Sequence, residues 1–114
     1  MNKGKIRDTQ LASLIADELD YLLGSANDPR LTELKVTGVM PKAGAGHFTV
    51  YVVPYSGNAG FSSAREMQAA LKKAAGFLRY ELAGLLNLKR TPDLTLIPDP
   101  LHSYSWGTIP KEDQ

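Results

Sequence analysis

The longest helical pattern in this chain, from Ser63 to about Leu88, carries a glycine at its centre. Met67, Leu71, Ala74, Leu78 and Leu82 recur at helical spacing, and Leu85 and Leu86 continue the stripe. Ser63 followed three residues later by Glu66 reads as a capping box, and "KRTP" closes the stretch. A straight helix of that length would span roughly 39 Å at 1.5 Å per residue. A compact chain of 114 residues has a radius of gyration near ~13 Å, hence a diameter of about 34 Å. An unbroken helix would overhang its own core. Gly76 costs about 1 kcal/mol relative to alanine inside a helix, so it needs a reason. The length argument predicts a kink there, giving two shorter helices that lay their apolar stripes on one sheet. The alternative is that Gly76 lets another backbone approach closely.

The rest of the chain supplies that sheet. A first helix is expected from about Asp8 or Thr9 to Leu23, with Leu11, Leu14, Ile15, Leu19, Leu22 and Leu23 as its stripe and Gly24 as its stop. "LKVTGVM", residues 34–40, alternates as a strand with Leu34, Val36 and Met40 on one side. "PKAGAG" is a turn, and "HFTVYVVPY" is a second strand with Phe48, Val50 and Val52 on one face. Two such runs joined by a glycine-rich turn make a hairpin. "DLTLIPD", residues 93–99, is the third strand. The order is α-β-β-α-(kink)-α-β, an α+β class chain. The helical crossover before the third strand favours a mixed three-stranded sheet with helices packed on one face. One domain spanning residues 1–114 is expected, with an ordered core at about 6–99 and an irregular tail at about 100–114 that frays past Ile109.

The chain has no cysteine, which excludes disulfides, thiolate metal sites and a cysteine nucleophile. No apolar run approaches the ~18–20 residues of a membrane span, so a cytoplasmic protein with no membrane partner is expected. Net charge is only +1, but the charges are segregated. Lys3, Lys5 and Arg7 are followed by Asp8, Asp17, Glu18 and Asp20. Residues 65–90 then carry Arg65, Lys72, Lys73, Arg79, Lys89 and Arg90 against Glu66 and Glu81. A surface basic around the helical segment attracts polyanions; the same charges also suit ordinary solvated helix faces.

No assembled active site is visible. His47 and His102 have no acid at an instructive helical spacing, and no HExxH pattern occurs. Asp17 and Asp20 share a helix face while Glu18 points elsewhere, which suits a solvated face better than a cation site. "GAGAGH" lacks the Lys-Ser/Thr of a phosphate loop. Neither a metal nor a cofactor is expected, and the chain does not read as an enzyme. A binding surface remains. The element order and the basic helical segment have the layout of a KH-type module, although "KKAAGF" offers one glycine where a GXXG loop needs two.

Three local motifs sharpen this. "DPRL" (Asp28 to Leu31) leads into "VTGV" (Val36 to Val39); "VYV" (Val50 to Val52) lies in the second strand; and "LKKAAGFLRYELA" precedes "LNLKRTPDLTL" within residues 71–96. Together with the element order they resemble the bacterial ribosome-binding factor A family. The resemblance implies a type-II KH-like fold in which an Ala-x-Gly step, here within Ala74, Ala75 and Gly76, replaces the GXXG loop. It implies a monomeric small-ribosomal-subunit assembly factor that binds the immature subunit and its ribosomal RNA, aids late rRNA processing, and matters most in the cold. Carried over by position, Lys72, Lys73 and Arg79 at the elbow of the kink, with Lys89, Arg90 and Arg65, would form the RNA-binding surface. Arg30 is expected to order its loop by pairing with an acid, with a phosphate contact as the alternative. The competing reading is a protein-interaction module that docks a partner through the kinked helix pair.

Overall fold

A computed structural model gives the architecture, describing residues 3–42, 46–104 and 106. The element order is α1 (Lys3–Gly24), a single 3-10 turn (Leu31–Glu33), β1 (Leu34–Pro41), β2 (His47–Pro54), α2 (Ala64–Leu85) and β3 (Asp93–Pro98). Strand β2 is central, antiparallel to β1 and parallel to β3. The parallel pairing requires a crossover, and α2 provides it. Helix α1 packs mainly on β1 and α2 on β3, which makes the expected mixed sheet with a helical layer. Ile15, Leu19 and Leu23 of α1, Phe48, Val50 and Val52 of β2, and Met67, Leu71, Leu78 and Leu82 of α2 share one fully buried cluster.

Three expectations change. First, α2 is one continuous helix, so Ala74, Ala75 and Gly76 lie inside it rather than between two shorter helices. Gly76 is absent from the residues at positive φ, and a methyl group placed there would meet nothing within 4 Å. The physical reason is length. At 22 residues the helix spans about 33 Å rather than roughly 39 Å, which the 43 Å long axis of the molecule accommodates without a bend. The helix also stops sooner than expected. Asn87 adopts φ 54°, Leu88 N–H donates to Ala83 O at 2.9 Å and Asn87 N–H to Gly84 O at 3.2 Å. That pair of bonds is a Schellman stop.

Second, α1 begins at Lys3 rather than near Asp8, and Leu14 is 52% exposed while Ala12 takes a core position. Third, β1 does not alternate strictly. Its pairing with β2 shifts between Val36 and Gly38, leaving Thr37 as the extra residue of a bulge. The bulge inverts the phase, so Val36 and Val39 both pack on the core and Met40 turns outward. Thr37 Oγ1 donates to Tyr51 O at 3.2 Å and to Asp99 Oδ2 at 2.9 Å, fixing the bulge to the end of β3. After β3 the chain is irregular, yet Tyr104 is buried and its ring stacks on Trp106 at 4.7 Å. The tail past 106, and Ala43, Gly44 and Ala45 of the hairpin turn, lie outside the described residues.

Candidate nucleic-acid interface

Helix α2 buries one stripe, so its remaining surface divides into two flanks. At 100° per residue, Arg65, Lys72 and Arg79 fall seven residues apart on one flank. Arg65 and Lys72 are exposed and line a shallow groove of about 280 Å³ with Gln68 and Ala69. Arg79, two turns further along, is half-buried and engaged. Its Nε donates to Pro92 O at 2.8 Å, and its Nη2 lies 3.8 Å from Asp93 Oδ1. Asp93 also meets His47 Nδ1 at 3.0 Å. Arg79 therefore spends part of its charge holding the entry to β3. Lys89 and Arg90 are exposed in the connection between α2 and β3. Among the described residues Arg65, Lys72, Lys73, Lys89 and Arg90 form no ion pair.

Lys73 follows Lys72 by 100° and so belongs to the other flank. There it lines a larger groove, about 520 Å³, with Phe77 and the loop that follows α1. The structure thus brings Arg65 and Lys72 together, sets Lys73 apart from them, and ties Arg79 to a carboxylate.

The loop wall of the second groove is built around Arg30, which pairs with acids as expected. Asp28 accepts the Arg30 backbone N–H at 2.9 Å, its Nε at 3.2 Å and its Nη2 at 2.9 Å. Arg30 Nη1 lies 3.6 Å from Glu66, and the guanidinium covers the Phe61 ring at 4.6 Å. The Arg30 hydrogen bond holds the Asp28 carboxyl below its ordinary value, with Lys73 adding a smaller push in the same direction. Glu66 is also held low, chiefly because it accepts the Ser62 N–H. The capping box forms with a shift. Ser63 Oγ accepts Glu66 N–H at 3.1 Å, but Glu66 returns the bond to Ser62 rather than to Ser63.

Sequence reasoning passed over Phe77 and Tyr80, which are 47% and 75% exposed. Their signal was available: neither falls on the Leu71–Leu78–Leu82 stripe, so both must face outward. Among the described residues no group of His, Cys, Asp or Glu could hold a metal ion. No described helix is long and apolar enough to cross a membrane.

A mixed three-stranded sheet under two helices defines a KH-like α+β domain, and on one flank of its second helix Arg65 and Lys72 stand exposed without an ion pair among the described residues. Residues 7–105 match the family model described as ribosome-binding factor A. The chain belongs to that family. Ribosome-binding factor A of Limosilactobacillus reuteri is 34% identical over 105 residues, covering 91% of this chain and 87% of that protein. The Levilactobacillus brevis relative is 40% identical over 80 residues, covering 70% of this chain and 67% of its own. The crystal structure of the Thermus thermophilus factor superimposes with a TM-score of 0.65 at 26% identity, covering 82% of this chain and 97% of that one. A homology model of the T. thermophilus factor, fitted into a cryo-electron-microscopy map of a 30S complex, gives a TM-score of 0.55 at 27% identity. It covers 80% of this chain and 89% of its own.

Proposed function

We propose that this protein binds the immature small ribosomal subunit through its ribosomal RNA and assists late maturation of that RNA, with the greatest demand in the cold. It acts in the cytoplasm as a monomer and by occupancy, without catalysing a reaction. The observation that carries this reading is the pairing of family membership with Arg65 and Lys72, neighbours on one helix flank that have no acid partner among the described residues. The T. thermophilus relative occurs in a 30S complex, which supports a small-subunit partner here. Arg65 and Lys72, with Lys89 and Arg90 beyond the helix, supply the phosphate contacts; Arg79 positions β3 and adds a weaker field. Phosphate contacts of this kind set register and orientation without reading base edges.

Co-sedimentation tests the reading. The protein should travel with immature small subunits and far less with mature ribosomes, and the association should weaken steeply as salt rises. An association indifferent to salt would instead favour an apolar docking surface. Equal binding to mature and immature particles would remove the maturation role.

A further inference from the structure

The flank of α2 opposite Arg65 and Lys72 carries a different chemistry. Phe77 and Tyr80 stand 47% and 75% exposed on a helix whose Leu71, Leu78 and Leu82 are fully buried. Phe77 follows Lys73 by one turn, and Tyr80 follows Phe77 by less than one. Phe77 lines the groove of about 520 Å³, whose other side is the loop containing Asn27. That volume lies in the range of sites that take small organic groups. The loop wall is pre-formed, because Leu31 N–H donates to Asp28 O at 2.9 Å and Arg30 is held by Asp28. Asn27 is exposed at the rim, and its carboxamide makes no hydrogen bond among the described residues.

A part-exposed aromatic ring, an unpaired ammonium and a free carboxamide meet at one groove. These groups suit one unstacked nucleotide: the ring stacks a base, the ammonium takes a phosphate, and the amide meets a base edge. We infer that this groove is a subsite for single-stranded RNA, in which Phe77 stacks one base and Lys73, one turn before it, holds a phosphate on one side of that base, while Tyr80, beyond the groove on the other side of Phe77, offers a second platform. The inference rests on the ribosomal-RNA reading above and adds that the RNA must include an unpaired segment. A protein ligand fits less well. The remaining apolar lining is mostly small, with Ala26, Ala70 and Ala74, and the rim is charged.

The test compares a labelled single strand of about eight nucleotides with an RNA duplex of about sixteen base pairs. Phe77→Leu keeps an apolar side chain and removes the stacking face. It should weaken single-strand binding about tenfold and leave duplex binding, carried by the basic flank, within about twofold. Tyr80→Leu, at a more exposed position that cannot unfold the helix, should give a smaller loss of the same kind. Single-strand affinity unchanged in both variants would overturn the subsite, as would equal losses on single strand and duplex. Unchanged single-strand affinity with lost subunit binding would mean that the groove docks a protein, which also overturns it. A wild-type protein that sediments with subunits but ignores single strands removes the subsite and leaves the proposed function standing. One that binds neither removes both.

Discussion

The Arg30 guanidinium lies 2.9 Å from Asp28, 3.6 Å from Glu66 and 4.6 Å from the centre of the Phe61 ring, so one side chain joins the loop after α1 to the start of α2. Asp28 and Glu66 titrate lower in the folded protein, from ordinary values of 3.8 and 4.5. A carboxyl lowered on folding contributes stability above its ordinary value and loses it as pH falls through the folded value. The urea midpoint should therefore drop as pH is lowered from about 5 to about 2.5. Arg30→Met should make that drop shallower, because Asp28 is held chiefly by Arg30, whereas Glu66 keeps its Ser62 donors. An identical acid profile in Arg30→Met would show that another group holds Asp28. Gly60 stands beside this cluster at φ 85°, where an added methyl would lie 3.4 Å from Arg30 Cγ. Gly60→Ala should cost about 1–2 kcal/mol, since the left-handed backbone penalises a Cβ, whereas the contact with Arg30 is an ordinary van der Waals distance. A urea midpoint equal to the parent's would contradict that backbone conformation.

At the scale of elements, α2 reverses the expectation that its glycine is needed for a bend. Gly76 lies inside a continuous helix, outside the positive-φ region and with open space at its Cβ. Gly76→Ala should therefore stabilise the protein by about 0.5–1 kcal/mol, read as a higher urea midpoint with an unchanged slope. A loss of stability would mean that the Ala74–Gly76 step serves as a bend after all. Periodicity made the burial of Leu71, Leu78 and Leu82 legible, because helical spacing fixes a face without reference to any neighbour. The periodic stretch overstates the helix: it runs from Ser63 to Leu88, but α2 covers only Ala64–Leu85. A helix of that length needs no bend to fit a molecule with a radius of gyration of 14.1 Å. The outward turn of Met40 was hidden, since a bulge at Thr37 arises from pairing with β2 and Asp99 rather than from local composition. The helix stop was written in the chain at Asn87, a residue that tolerates left-handed backbone. For the site, the cations themselves were plain. The 100° turn separating Lys72 from Lys73 was readable too, but the capture of Arg79 by Pro92 and Asp93 required the third strand in place.

At the scale of the whole molecule, the described charged side chains of α1 are all acids and those of α2 are mostly bases. Helix α1 lies over β1 with Asp17 exposed and Glu18 half-exposed, while Arg65 and Lys72 lie on α2, over β3, on the far side of the helical layer. Asp20 is already occupied, accepting Val36 N–H at 2.7 Å, so it belongs to the fold rather than to the free acidic surface. A near-neutral protein can then present a cationic side to an RNA and an anionic side to solvent. Arg65→Glu combined with Lys72→Glu should weaken small-subunit binding at least tenfold, and two lost phosphate contacts should lower the log–log salt slope by about 1.5 to 2. Stability should shift by less than about 1 kcal/mol, because both side chains are exposed and make no ion pair among the described residues. Glu at position 65 also sits in the first turn of α2, where a negative charge suits the helix dipole, so any small shift should be favourable. The matching control, Asp17→Lys with Glu18→Lys, adds positive charge on the α1 side and should not weaken binding. Equal loss from both double variants would mean that folding or overall field, not the α2 flank, governs the interaction. Full binding by the Arg65/Lys72 variant with an unaltered salt slope would remove this flank as the RNA face.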